Sequence, residues 1–323
     1  MGKYQAFFKQ KAKVSIVVGK RDVKKAQRIL VIGYPYFVGR IQELAAGSDY
    51  QLLTMPKSGF QRWLTLLRVK AIYLIGGDLR SNRFYTAAVF LRKKLIMHWV
   101  GSDILEMKEW LKKGHRFSPL LLKHSHHWAE VDWTAGELQE LGIKAQVVPL
   151  TPASFPAEVK ELPAKFVVLC YLPPEREHFY GGTEMIQLAK QFPDIVFLAV
   201  AASPTDSHPD WPENIIPVGW VDDMGELYPE ITVLVRFTEH DGLSFMVLEA
   251  LANGRHVIWS YPFEGVRKAT NYAQLMGAIS ELYQDFQAGK LPLNQPGRAY
   301  VADHYRPQAV WQRIYQGING VLS

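Results

Sequence analysis

Two carboxylates, Asp241 and Glu249, stand eight positions apart in the segment ITVLVRFTEHDGLSFMVLEALANGRHVIWS, residues 231–260. Glu239 and His240 precede the first of them, so one short loop carries two acids and an imidazole. Gly242, Leu243 and Ser244 follow, and then an apolar run begins. Carboxylates accept hydrogen bonds from hydroxyl groups. A helix start beside them adds backbone N–H donors and partial positive charge suited to an anion.

That chemistry needs a particular frame, and the flanking residues predict it. Ile231 to Val235 is a β-branched run that suits a buried strand. Thr238 to Gly242 is a polar turn, and Ser244 is the expected N-cap. Phe245, Leu248 and Leu251 recur at helical spacing. Asn253-Gly254 ends the helix, because glycine accepts the left-handed conformation past a helix end. His256 to Ser260 then starts another strand. The polar loop is therefore expected at the carboxyl end of a strand and the amino end of a helix, where open α/β sheets bind ligands.

The rest of the chain alternates in the same way. Strands are expected at Arg28–Gly33, Ala71–Gly77, Leu95–Gly101 and Ala145–Pro149, with helices over Phe84–Lys93 and Gly136–Leu141. Leu150 to Lys165 holds three prolines without a clear period and reads as a linker. Alternation resumes with strands at Phe166–Tyr171, Ile195–Ala201 and Ile215–Gly219, a helix over Thr183–Phe192 and a last helix from about Pro307. This pattern predicts an α/β protein with two doubly wound parallel sheets.

The acidic pair, with the intact Glu249-Ala250-Leu251-Ala252-Asn253-Gly254 and Val257-Ile258, resembles the donor-binding motif of retaining GT-B glycosyltransferases of family 4. The resemblance spans about thirty residues of loop, helix and strand. It departs at Asp241, where the family usually has Glu, so the carboxylate reaches one C–C bond less far. It implies the GT-B architecture, two Rossmann-like domains facing a central cleft. The corresponding segments are 1–155 on the acceptor side, 156–306 on the donor side, and 307–323 as a helix crossing back with Ala309, Val310, Ile314 and Tyr315 as its buried stripe.

The resemblance also implies roles. The N–H groups around Phe245 and Met246 would face the donor diphosphate, and Glu249 would accept from the ribose diol. Asp241, His240 and the Gly242-Leu243-Ser244 backbone would hold the sugar. Gly219 and Val221, in Val218-Gly219-Trp220-Val221, resemble the turn beside the nucleotide base. Arg176, in the loop YLPPEREHFYGG (171–182), would meet the diphosphate, its fork suiting phosphate. The lysine that the family places before the glycine is absent, with Phe179-Tyr180-Gly181-Gly182 near its place and His178 as a possible substitute. In the first half, His98 resembles a family histidine facing the reaction centre, able to take a proton near neutral pH. Asp103 in the same loop and Gly33 after the first strand fall on the acceptor side. The first strand-to-helix loop lacks a paired Gly-Gly, and it carries no GxGxxG fingerprint for nicotinamide.

Charge is divided unevenly. Residues 1–155 hold 25 Lys+Arg against 11 Asp+Glu, or +14, and residues 156–323 hold 12 against 20, or −8, giving the overall +6. The basic half suits an anionic partner, whether a membrane surface, a phosphate-linked lipid or an acidic polymer, or it is simply a soluble basic surface. Two stretches, KSGFQRWLTLLRVK (57–70) and KEWLKKGHRFSPLLLK (108–123), mix cations with Trp, Phe and Leu. Each fits either an anionic membrane interface or an amphipathic helix packed on the sheet. No motif supports nucleic acid.

Cys170, the single cysteine, lies in an apolar run and reads as a buried structural thiol. No apolar run approaches about twenty residues, so no transmembrane helix is expected, and the N-terminal segment lacks a leader's long apolar run. Met1-Gly2 with Ala6 at position six is a weak myristoylation signal. His124, His126 and His127 read as an exposed turn before Trp128 rather than a metal site, and Asp222-Asp223 as a solvated acidic turn. The expectation is a cytoplasmic retaining glycosyltransferase, with a peripheral position on the inner face of the membrane as an option. Its donor would be a nucleotide-diphosphate sugar, its acceptor a glycan or lipid-linked glycan, with no bound cofactor or metal. The alternative is a non-catalytic sugar-nucleotide-binding or scaffold partner of an active transferase.

Overall fold

The computed structural model describes residues 27–152, 154–205 and 208–323. The expectations for the N-terminal leader and the Met-Gly start lie outside the described residues. The chain divides into two compact units. One holds the described residues up to Ser154 together with Tyr305–Ser323, and the other holds Phe155–His304.

The first unit is built on β1 (Gln27–Ile32), β2 (Tyr50–Thr54), β3 (Ala71–Ile75), β4 (Lys94–Trp99), β5 (Ser125–Ala129) and β6 (Gln146–Val147). All pair in parallel, in the order β2-β1-β3-β4-β5-β6. Helices α1 (Pro35–Leu44), α2 (Gly59–Arg68), α3 (Arg83–Phe90), α4 (Ser102–Lys112), α5 (Pro119–His124) and α6 (Asp132–Glu140) connect them. The Ala71–Ile75 strand is buried throughout, as a central parallel strand covered on both faces requires. Asn82 starts α3 by accepting from the Phe84 and Tyr85 N–H groups.

The second unit holds β7 (Val167–Tyr171), β8 (Val196–Val200), β9 (Ile215–Gly219), β10 (Val233–Arg236), β11 (His256–Trp259) and β12 (Arg267–Lys268). These are also parallel, in the order β12-β11-β10-β7-β8-β9. Read from the first strand of this unit, that is the order 3-2-1-4-5-6 of the Rossmann fold. Its helices are α7 (Gly182–Gln191), α8 (Phe245–Ala252), α9 (Tyr272–Gln287) and α10 (Gln295–His304). The core packs Val168, Leu188, Phe197, Val233 and Ile258 with Leu275 and Leu282 of α9.

The segment after His304 lies in the first unit. Helix α11 (Pro307–Leu322) buries Pro307, Val310, Ile314, Ile318 and Val321. Tyr315 donates to Asp49 at 3.2 Å, Tyr50 donates to Asn319, and Gly317 lets the Trp128 ring come close. Ala309 and Tyr315 are only half-buried, so the stripe runs 310, 314, 318 and 321 instead.

Two local readings are corrected. His124 to His127 is not an exposed turn. Ser125–Ala129 is strand β5 beside β4, and His127 is buried. His126 and His127 made this strand look polar, although its last three residues, His127, Trp128 and Ala129, are all buried. The 108–123 stretch is not one amphipathic helix either. Ser118 caps a new helix, and Leu121 is buried.

Candidate functional site

In each sheet a switch point lies where the chain reverses direction across the sheet. Ligands bind open α/β sheets outside the carboxyl ends of the strands there. In the second unit that point lies between β7 and β10, so the loops after Tyr171 and after Arg236 flank it. These are the loops that carry Arg176 and the His240–Ser244 run.

The two loops are tied together. The Glu239 N–H donates to the Phe179 carbonyl at 3.1 Å. A Cβ on Gly181 would lie 2.8 Å from the Phe237 carbonyl, so a glycine is needed where the loops touch. The Thr238 N–H donates to Ser260 Oγ at 2.9 Å, and its hydroxyl donates to the His240 carbonyl at 3.0 Å. The Asp241 N–H donates to the Tyr261 hydroxyl at 3.1 Å. His178 and Glu239 approach to 3.6 Å on the exposed rim.

Asp241 is held from within the protein. Arg236 Nε donates to its Oδ2 at 2.8 Å and Arg236 Nη2 to its Oδ1 at 3.2 Å, a bidentate pair. Trp259 Nε1 donates to Oδ2 at 3.2 Å. Arg236 in turn lies over the rings of Tyr180 at 4.7 Å and Tyr171 at 5.5 Å. Burial alone would lower the guanidinium pKa, but Asp241 outweighs it and the pKa is raised. Arg236, Trp259 and the two tyrosines were missed from the sequence. A strand-end arginine five residues before an acid is the signal that could have found the pair.

Arg176 ends a short 3-10 turn, Pro174–Arg176, and is exposed. It stacks on the Phe179 ring at 4.0 Å, which steers its fork without consuming its donors. Helix α8 begins where expected, with Ser244 in extended backbone at the N-cap and no capping bond from its hydroxyl. Asn253-Gly254 stops it, Gly254 taking φ +67°. Glu249 is half-buried on α8, and its Oε2 accepts from the Tyr228 hydroxyl at 2.7 Å. Tyr228 belongs to the connection after β9, so it links Glu249 to the stretch holding Gly219 and Val221.

Gly219 takes φ +75° at the end of β9, a conformation costly for other residues. Its N–H donates to the Ala202 carbonyl at 2.7 Å and its carbonyl accepts from the Ala201 N–H at 2.8 Å. Trp220 beside it is exposed, and Val221 is half-buried. Gly219, Arg176 and His240 to Ser244 thus lie along one carboxyl edge of one parallel sheet.

Gly33, His98 and Asp103 belong to the other unit, and their surroundings differ. His98 is fully buried in β4. Its Nδ1 pairs with the Tyr73 hydroxyl at 2.7 Å and its Nε2 with the Val148 carbonyl at 2.8 Å. Burial lowers its pKa to about 4. With both ring nitrogens engaged and no exposure, His98 is a core residue. The expected proton-transfer role is corrected accordingly. Asp103 is buried too, and burial raises its pKa to about 6 against the opposing pull of its hydrogen bonds. It accepts from the N–H groups of Gly77, Val100, Gly101 and Ile104, tying the loop after β3 to the start of α4. A Cβ on Gly33 would meet the Ile75 carbonyl at 2.6 Å, so this glycine lets the ends of β1 and β3 approach.

Among the described residues, no group of three or more His, Cys, Asp or Glu could hold a metal ion. Cys170 is buried, its pKa raised to about 12 by burial. No helix of the described residues is long and apolar enough to cross a membrane.

No protein-family model matches the chain, and no curated protein matches it. Solved structures do. The chain is similar to the sucrose-phosphate synthase from Thermosynechococcus elongatus at 14% identity and TM-score 0.65, covering 92% of this chain and 99% of that one. It is similar to the UDP-GlcNAc 2-epimerase from Neisseria meningitidis bound to UDP-GlcNAc, at 11% identity and TM-score 0.52, covering 91% and 100%. It is also similar to the pneumococcal O-GlcNAc transferase GtfA in complex with UDP and GlcNAc, at 13% identity and TM-score 0.53, covering 78% of this chain and 57% of that one. Two six-stranded parallel sheets, alternating helices and these neighbours give one conclusion: the chain has the GT-B fold, built of two Rossmann-like domains.

Proposed function

We propose that this protein is a retaining glycosyltransferase of the family 4 type. It would move a sugar from a nucleotide-diphosphate donor to a glycan or lipid-linked acceptor. The observation that carries the reading is Glu249. A half-buried carboxylate, oriented by Tyr228 at 2.7 Å, stands on the helix that starts at the switch point of a 3-2-1-4-5-6 sheet. One of its oxygens accepts from the tyrosine hydroxyl, and a carboxylate, an acceptor-only group, is the side chain that suits a vicinal diol.

In this reading Glu249 accepts from the ribose, and the α8 N-terminus around Phe245 and Met246 meets the diphosphate. Gly219 and Val221 flank the base. Arg176 supplies an exposed cation, stabilising the leaving diphosphate as charge develops on it. Asp241 acts through the loop. Its carboxylate is tied to Arg236 and Trp259, so it fixes the backbone of Gly242, Leu243 and Ser244 against the sugar. His240 lies next to that backbone and reads a sugar hydroxyl. No bound metal or cofactor enters the scheme. The place of work is the cytoplasm or the inner face of a membrane.

The engaged Asp241 and the absence of a lysine from the 171–182 loop favour the alternative, a non-catalytic sugar-nucleotide-binding partner. One assay separates them. The protein is incubated with UDP-, GDP- and ADP-sugars, and the products are followed by proton NMR. Sugar released to water or acceptor with its anomeric configuration kept supports the transferase. Binding without turnover supports the alternative. A changed sugar still attached to its nucleotide identifies an epimerase and overturns both.

A further inference from the structure

Helix α2 turns large apolar side chains outward. Phe60, Trp63 and Leu67, at i, i+3 and i+7, share one stripe of the helix, and they are 73%, 46% and 60% exposed. Only Leu66 of this helix is fully buried. The end of α3 continues the surface with Phe90, 76% exposed, and Leu91, 44% exposed. The helices are joined here. The Trp63 and Phe84 rings lie 5.7 Å apart, and Lys93 Nζ donates to the carbonyls of Leu67 and Val69 at 3.1 and 2.9 Å. A contiguous apolar patch of this kind marks an interaction site.

Its rim carries one sign of charge. Residues 57–70 and 83–94 together contain eight Lys or Arg and no Asp or Glu. Arg62 and Lys93 turn back onto backbone carbonyls. Lys57, Arg68, Lys70, Arg83, Arg92 and Lys94 are exposed. The other stretch of mixed cations and aromatics does not match this. Trp110 stacks on His115 at 3.8 Å, Leu121 is buried, and Lys112 pairs with Glu109 at 2.6 Å.

We propose that the α2–α3 face docks on an anionic lipid bilayer, with Phe60, Trp63, Leu67 and Phe90 entering the headgroup region and the surrounding cations meeting lipid phosphates. Aromatic and leucine side chains gain from that interface, and each nearby cation adds attraction to an anionic leaflet. A second copy of the chain fits this face poorly. A two-fold interface would set the same cations against each other, with no carboxylate in either stretch to answer them.

The test is co-sedimentation of the whole protein with vesicles of phosphatidylcholine alone or mixed with phosphatidylglycerol. No sugar nucleotide is present, so the outcome is independent of the donor reading. Binding is expected only with the anionic lipid and should weaken as salt rises. Phe60→Ser, Trp63→Ser and Leu67→Ser combined should weaken it at least about tenfold. Arg68→Glu, Lys70→Glu and Arg92→Glu should each weaken it about fivefold or more. Lys112→Glu and Lys113→Glu, exposed cations on α4 and just past its end, should change it little. All these side chains are exposed, and unchanged melting temperatures will confirm that the variants fold. Equal binding to neutral vesicles, equal losses in the α4 controls, or no vesicle binding would overturn the proposal. So would a dimer that the serine variants dissociate, or retention on single-stranded oligonucleotide in place of vesicles.

Discussion

The two switch points of this molecule are built alike and finished differently. Both lie at the carboxyl edge of a six-stranded parallel sheet, and both are flanked by glycine-bearing loops. In the first unit the titratable groups nearby face inward. His98 spends both ring nitrogens on Tyr73 and Val148, and Asp103 spends its carboxylate on backbone N–H groups. In the second unit the inward pair Arg236–Asp241 stiffens a loop, while Arg176 stays exposed and Glu249 half-buried. A polar residue at the end of a strand can be mortar or tool, and burial with complete hydrogen bonding distinguishes the two.

The largest expected effect breaks that comparison directly. Glu249→Gln keeps an acceptor for Tyr228, so the fold should survive, while donor affinity should fall by about 10- to 100-fold, the worth of a hydrogen bond to a charged acceptor. Asp103→Asn should leave donor affinity unchanged and lower the melting temperature, since an amide cannot accept as many N–H bonds as a carboxylate. Equal loss of donor affinity in both variants would erase the distinction between the units.

Next is the ion pair. Arg236→Met leaves the half-buried Asp241 charge without its partner, a cost bounded by the about 3–5 kcal/mol of a fully buried pair. Chemical denaturation should register that loss, and Arg236→Met with Asp241→Leu should recover part of it. An unchanged denaturation midpoint in Arg236→Met would show that the pair does not hold the loop.

Stability should also depend on pH, chiefly through the first unit. His98 and His127 both have pKa values lowered by burial to about 4, against 6.5 when exposed. Between pH 6.5 and 4 the unfolded chain therefore binds more protons, and stability falls as pH falls, each histidine contributing of order 3 kcal/mol at the acid limit. Asp103, raised to about 6, works in the opposite direction between pH 6 and its ordinary 3.8. Two histidines against one acid leave a net loss on acidification. Melting curves from pH 7 to 4.5 will read it, and His98→Gln should flatten the slope. The smallest effect is at Arg176→Ala, which should weaken donor binding about tenfold without changing the melting temperature, because the side chain is exposed.

Much of this was legible in the sequence, for physical reasons. Buried parallel strands need continuous apolar runs, so Ala71–Ile75 and Val167–Tyr171 announce themselves. Helix α8 has a serine before it, an apolar period within it and a glycine after it, and its bounds fell where those marks put them. Strand β5 was hidden because its histidines look polar while His127 faces inward. The roles of His98 and Asp241 were hidden for a related reason. Their partners, Tyr73 and Val148 for one and Arg236 and Trp259 for the other, come from other strands or strand ends, and only the folded sheet brings them together.

The central claim is that the second sheet's switch point binds a nucleotide-diphosphate sugar through Glu249. Isothermal calorimetry with a panel of UDP-, GDP- and ADP-sugars, run on the unaltered protein and on Glu249→Gln and Asp103→Asn, tests it most directly. The account predicts saturable one-site binding that is lost in Glu249→Gln and intact in Asp103→Asn. Donor binding that survives Glu249→Gln unchanged, or no binding of any member of the panel, would contradict it.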